Sequence, residues 1–326
     1  MSKFNQPIKD IVLAITYQCN SRCRFCNIWQ KNQTHALQPE FYYKLPYNIN
    51  NVNISGGEPF LREDLNKIVE IISKRCPKAK IVISTNGFCP ERILLEMPKL
   101  LKIKPDIGAA VSLDGLKIVH EKLRGHKNGF DKVFETIQIL RNIGVKNIKI
   151  AFTLSDDNWY ALPKVYQLAK SLSLEFSLAV RHNSEHFFQN QDTRIKEPDK
   201  VIKALNWLVK QELKGFWPNK SWVRAYFAYG ALYFVKTGNR ILPDYTGLNS
   251  LFIDPFGHIF PSDVWNLSLG QIQEIHNWDK FLAYAQAKVI IEPQAPASWM
   301  ICTARQAMKK HWLKVSWWII KNKLSL

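Results

Sequence analysis

Three of the six cysteines fall within eight positions, as Cys19-x-x-x-Cys23-x-x-Cys26. Three thiolates on one short stretch make a soft, strongly anionic donor set, suited to iron–sulfur or zinc ions rather than to magnesium or calcium. Arg22 and Arg24 are interleaved with the cysteines and are expected to favour the thiolate form by charge. A structural zinc site wants four closed ligands, and only His35 lies nearby as a fourth. A cubane iron–sulfur cluster held by three thiolates instead leaves one iron without a protein ligand, and a small molecule can bind there.

The elements around the cysteines must deliver them to a rim. The run 11–15 is short, β-branched and followed by polar residues, so it reads as a buried strand with the cysteine loop at its carboxyl end. That is where α/β folds place their chemistry. Further strands are expected at 52–55, 80–84, 107–113, 148–154 and 174–180, with helices between them such as 61–74 and 91–102. Six strands alternating with helices predict a parallel sheet with right-handed crossovers, and the count suits an α/β partial TIM barrel, (β/α)6.

Small or polar residues close these strands. Gly56 and Gly57 have no Cβ to hold a ligand away from the backbone. Asn86 in Thr85-Asn86-Gly87, and Ser112 and Asp114 in Ser112-Leu113-Asp114-Gly115, offer amide, hydroxyl and carboxylate groups that can bind a polar ligand. Turn chemistry and helix capping use the same residue types.

The chain has 326 residues with 46% apolar and 12% aromatic content, enough for one large domain plus a smaller one with a buried core, and not the composition of a disordered chain. No apolar run is long enough to span a bilayer. A clustered cysteine pattern is not a disulfide framework, so a reducing, cytoplasmic setting is expected. The net charge of +18 is spread along the chain. Without a helix-turn-helix, RNA-binding strand or zinc-finger spacing it carries no expectation of a specific nucleic acid.

With Phe25 just before the last cysteine, Cys19-x-x-x-Cys23-x-Phe25-Cys26 resembles the cluster motif of the radical S-adenosylmethionine (radical SAM) enzymes. The resemblance implies that Cys19, Cys23 and Cys26 hold a 4Fe-4S cluster whose open iron is chelated by S-adenosylmethionine. An electron donor such as a flavodoxin or ferredoxin then allows cleavage to methionine and a 5′-deoxyadenosyl radical, which abstracts hydrogen from a substrate. Gly56-Gly57-Glu58-Pro59 resembles the motif whose backbone receives the amino group of S-adenosylmethionine. Arg124 resembles an arginine after the fourth strand that can pair with the methionine carboxylate. A non-catalytic metal-binding or scaffold protein that keeps this fold is the alternative.

Past residue 180, 181–186 is polar and expected to face the substrate, and 198–235 reads as helical with an aromatic stripe. The run 251–262, two strand-like halves around Pro255-Phe256-Gly257-His258, resembles the hairpin of the SPASM or twitch extension of radical enzymes. Ser262 stands where a cysteine commonly follows the proline, and Cys302 is the one cysteine after Cys89, so an auxiliary cluster is not expected. The expected division is 1–210 for the partial-barrel core, 211–302 for a small SPASM-like α+β extension and 303–326 for a basic, tryptophan-rich helix. That helix suits either an anionic membrane surface, on the inner face, or packing across the barrel. The substrate is expected to be a peptide, a lipid-linked molecule or another small molecule.

Overall fold

The computed structural model describes residues 7–31, 36–190, 195–215, 220–292 and 297–324. The first six strands are β1 (Asp10–Ala14), β2 (Asn51–Ser55), β3 (Lys80–Thr85), β4 (Gly108–Ser112), β5 (Asn147–Leu154) and β6 (Glu175–Val180). Each lies where its β-branched, apolar run predicts. Helices α1 (Leu65–Arg75), α2 (Pro90–Ile103), α3 (Lys117–Arg124), α4 (Gly129–Asn142) and α5 (Leu162–Ser171) form the crossovers that parallel pairing requires. The first crossover differs, because 3-10 turns at Ile28–Gln30 and Pro39–Lys44 replace an α-helix and leave room for the cysteine loop. Helix α1 starts later than the expected 61, because Pro59–Leu61 forms a 3-10 turn capped by the Glu58 carboxylate, which accepts from Phe60 N at 3.2 Å.

The strands form one open sheet in the order β6-β5-β4-β3-β2-β1-β7-β8-β9. Strand β7 (Ser250–Ile253) lies parallel to β1, from Asp10 opposite Ser250 to Leu13 opposite Ile253. Strands β8 (His258–Phe260) and β9 (Gly270–Gln271) follow antiparallel. The expected hairpin therefore exists, and it continues the barrel sheet. The expected boundary at 210 falls inside α6 (Pro198–Leu213). The helical stretch beyond it comprises α6 and α7 (Lys220–Thr237). Helix α8 (Trp278–Ile291) precedes the tail. The tail is two helices, α9 (Ile301–Lys310) and α10 (Trp312–Leu324), with His311 between them.

Strands β2, β5 and β6 alternate buried and half-buried residues. Parallel strands covered on both faces would be apolar throughout. Here Val52, Ile54, Ile148, Ile150, Phe152, Phe176 and Leu178 form part of the main core. The other parity carries Ser55, Thr153 and Ala179, which line an inner cavity with Ser84 and Ser112. The inner wall is thus small and polar, and its upper end lies at the carboxyl ends of the strands.

Candidate active site

At that end lies a cavity of about 230 Å³ lined by Cys19, Cys23, Phe25, Cys26, Gly56, Gly57, Asn86, Ser112 and Arg124, together with Ser21, Thr153, Ala179, Arg181 and His182. The cysteine loop is fixed by its backbone. Gly57 N donates to Thr16 O at 2.7 Å and Glu58 N to Gln18 O at 2.8 Å, so the turn after β2 zips onto the residues leading to Cys19. On the other side Arg22 N donates to Arg124 O at 3.0 Å and Arg24 N to Leu123 O at 2.9 Å. Ser21 joins the two sides, with its hydroxyl donating to Arg124 O at 2.8 Å, lying 3.1 Å from Cys23 Sγ, and its N–H 3.4 Å from Cys19 Sγ.

This geometry gives the glycines a cause that their types alone do not show. A Cβ on Gly57 would stand 2.1 Å from Gln18 O, and one on Gly56, at φ +136°, would stand 2.2 Å from Thr16 O. Glycine is required there by the incoming cysteine loop, with the cavity on the other side.

Burial pushes the Cys19 thiol up to about 11 and the Cys26 thiol up to about 12. Desolvated thiolates of this kind need nearby positive charge. Arg22 and Arg24 do not supply it. Both are exposed, and Arg22 donates to Cys19 O at 2.9 Å and lies over the Trp29 ring. The cation at the thiols is Arg124, whose Nη1 is 3.8 Å from Cys23 Sγ and whose guanidinium lies 5.3 Å from the Phe25 ring centre. Burial works to lower the Arg124 pKa, and Asp114, 2.6 Å from Nε, outweighs it with Cys23 and raises it.

Three expected ligand residues stand behind the wall instead of lining the cavity. Glu58 is fully buried and accepts from Asn86 N at 2.7 Å and Thr85 Oγ1 at 2.9 Å, tying the second strand's turn to the third's. Its desolvation raises the carboxyl to about 7. Pro59 opens the following 3-10 turn. Asp114 is fully buried, accepting from Arg124 and from Thr153 N at 2.7 Å, while Asn158 Nδ2 donates to Asp114 O at 2.9 Å. Asn86 does face the cavity, its amide 3.9 Å from Cys19 Sγ and 2.7 Å from Asn20 Oδ1. His35 lies outside the described residues.

Ser21, Asn158 and Arg62 carry no signal in the sequence that singles them out. Arg62 donates to Ile15 O and Leu37 O, each at 2.5 Å, and pairs with Asp64 at 2.6 Å, anchoring the exit from β1. Inward parity is the available signal for Ser84 and Thr153, each at the end of a strand. Of the 181–186 segment, Arg181 and His182 line the cavity, and His182 Nε2 is 3.4 Å from Asp263 Oδ2. Burial works against the His182 proton, and Asp263 outweighs it, raising the pKa. His186 turns away, 4.5 Å from Phe260 and 5.8 Å from Phe252 between ring centres. Ser262 is buried and accepts from Trp265 N at 3.3 Å.

The donor set fits a cluster with three protein ligands. The three thiols ring one cavity at a strand end, in desolvated surroundings that favour metal-neutralised sulfur. Among the described residues no three His, Cys, Asp or Glu side chains form a site for a single metal ion.

Residues 13–169 match the Radical SAM superfamily. A probable GTP 3',8-cyclase of Saccharolobus islandicus is 27% identical over 181 residues, covering 53% of this chain and 57% of the relative. A GTP 3',8-cyclase of Aquifex aeolicus is 32% identical over 183 residues, covering 51% of this chain and 55% of the relative. The chain thus spans little more than half the length of the curated relatives it matches. Among solved structures, native anSMEcpe with bound AdoMet and a peptide superposes with a TM-score of 0.66 over 98% of this chain and 100% of that chain, at 16% identity. Streptococcus suis SuiB bound to S-adenosylmethionine gives 0.61 over 85% of this chain and 66% of that chain, also at 16% identity. These two show a shared fold.

Proposed function

We propose, from the match of residues 13–169 to the Radical SAM superfamily, that the chain is an enzyme of that superfamily that cleaves S-adenosylmethionine reductively and abstracts hydrogen from a substrate. The observation that carries this is the single cavity shared by Cys19, Cys23, Cys26, Gly56, Gly57, Asn86, Ser112 and Arg124. Cys19, Cys23 and Cys26 would hold the 4Fe-4S cluster, which supplies an electron to the sulfonium when bound. The chain's own contribution is placement. The Asn86 amide and the Ser112 and Thr153 hydroxyls offer hydrogen bonds to a ribose, and the cationic Arg124 offers one to a carboxylate. Phe25, Ala179 and Phe188 form apolar parts of the lining and exclude water from a radical.

The reducing equivalent comes from a small electron carrier such as a flavodoxin or ferredoxin, in a reducing cytoplasm where the thiols persist. The substrate class we favour is a peptide, since anSMEcpe and SuiB are each described with a bound peptide. A nucleoside triphosphate is the second reading, favoured by the cyclase relatives.

Anaerobically reconstituted protein with a reductant is expected to release 5′-deoxyadenosine from S-adenosylmethionine, and Cys23→Ala to release none. Equal release by both, or no release by either, overturns the proposal. Iron and sulfide in the oxygen-free protein support it, whereas stoichiometric zinc supports a scaffold. Deuterium transfer from labelled peptide or labelled nucleotide into deoxyadenosine separates the substrate classes.

A further inference from the structure

Helix α10 is apolar on two sides. Val315 and Ile319 are buried against the body of the protein, and Trp318 stacks on Tyr229 with ring centres 4.6 Å apart and meets Tyr226 edge-on at 5.3 Å. At about 100° per residue, Leu313, Trp317, Ile320 and Leu324 gather on the opposite side. They are 66%, 64%, 58% and 84% exposed. A surface helix ordinarily turns polar residues outward. Here four large apolar side chains face out, with exposed Lys314 and Lys321 beside them and exposed Lys309 and Lys310 just ahead.

The charge around this stripe selects what covers it. Residues 301–326 contain no acidic residue, and the whole chain carries +18. A second copy would bring like charge to like charge. Nucleic acid offers phosphates but no apolar depth. An anionic bilayer offers both, with hydrocarbon for leucine and isoleucine, the interface for tryptophan, and lipid phosphates for lysine. No described helix is long and apolar enough to cross a membrane, so contact would be in the plane.

The helix also has a defined place on the sheet. Beside its start His311 Nε2 is 3.0 Å from the Tyr245 hydroxyl, and in its first turn Lys314 Nζ donates to Ile241 O at 3.3 Å, both shortly before β7 begins. Near its end Lys323 Nζ donates to Leu213 O at 2.6 Å and Gly215 O at 3.0 Å. Close to that point Lys220 pairs at 2.8 Å with Glu175, the first residue of β6. Arg305 of α9 reaches Asp10, the first residue of β1, at 3.5 Å. Helix α9 therefore lies across the amino-terminal ends of the strands, α10 packs beside it on α6 and α7, and the cysteine loop occupies the other end.

We propose that α10 lies in the plane of an anionic lipid surface, seated through Leu313, Trp317, Ile320 and Leu324, with the thiol-lined cavity turned away from the lipid. Substrate then reaches the cavity from water instead of from within the bilayer. The consequence for substrate rests on the radical SAM reading of that cavity, whereas the docking does not.

The test uses the full chain with phosphatidylcholine vesicles, with and without an equal share of phosphatidylglycerol. The chain is expected to pellet with the anionic vesicles, and the Leu313→Glu/Trp317→Glu variant to lose at least about tenfold in apparent affinity. Ile118→Glu, at another exposed apolar residue, is expected to pellet as the parent does. No pelleting, equal pelleting by the double variant, or a dimer in gel filtration that the double variant disperses each overturns the docking. Hydrogen exchange on the vesicle-bound chain is expected to slow at 312–324 and to stay unchanged at 181–190, beside the cavity. Slowing at 181–190 overturns the orientation. None of these readouts needs the cluster, so lipid-free deoxyadenosine release fails or succeeds separately.

Discussion

The two ends of the sheet solve opposite problems. At the carboxyl end, charge is buried and paired: Asp114 is fully buried against Arg124, Arg124 reaches Cys23, and Glu58 gathers three donors. At the amino-terminal end, apolar surface is left outside, on α10, beside exposed lysines. The lesson is that buried polar groups make a position intolerant of change, because removing one partner strands the other. An exposed apolar stripe contributes little to folding and is free to serve another surface. A substitution at the first end should therefore cost stability, and one at the second should cost only binding.

The largest expected stability effect is at Asp114. Asp114→Asn leaves the Arg124 guanidinium buried without a counter-charge, and chemical unfolding is expected to show a loss of about 3–5 kcal/mol. Next is Gly57→Ala, whose methyl group meets Gln18 O at 2.1 Å. Backbone cannot rotate aside as a side chain does, so a loss of about 1–3 kcal/mol is expected. The same variant should bind less iron on reconstitution, because the displaced loop carries Cys19.

His120 sharpens the comparison through pH. Its Nδ1 accepts from Asp114 N at 3.1 Å, and burial holds its pKa down at about 3, against the ordinary 6.5. Between those values the unfolded chain binds the extra proton, so stability falls as pH drops below 6.5. The free energy of unfolding is expected to fall by about 2 kcal/mol between pH 7 and pH 5 on this account. His120→Asn, which keeps an acceptor but does not titrate, should flatten that part of the slope. The smallest expected effect is Trp317→Glu, within about 0.5 kcal/mol of the parent in the same unfolding assay. A large loss there would show that the stripe is structural and would break the contrast between the ends.

Much of the carboxyl end is legible in the amino-acid sequence. The cysteine spacing, the strand ahead of it and the small polar strand ends are local patterns, and strands and helices follow from periodicities of two and 3.6 residues. The positions of Asn86, Ser112 and Arg124 in the cavity follow because a parallel sheet brings its strand ends together. Which side of the wall each residue occupies is not legible. Asp114 and Glu58 carry the same chemistry as a ligand-binding carboxylate, and only the packing of β5 and β3 against them shows that they hold other residues in place. Closeness in the chain points to Arg22 and Arg24 as the cations beside the thiols, while Arg124 stands there across a gap of 101 residues from Cys23.

The sequence by itself determined the thiol trio, the alternating α/β order, and the basic, tryptophan-rich character of the tail. Tertiary structure decided that β7 pairs with β1, that the tail breaks at His311 into two helices, and that Val315 and Ile319 take the core while Trp317 and Ile320 stay outside. The reason is that local pattern fixes what a segment can bury, while the choice of what it buries against is made by residues far away in the chain, whose pairing leaves no mark within either segment.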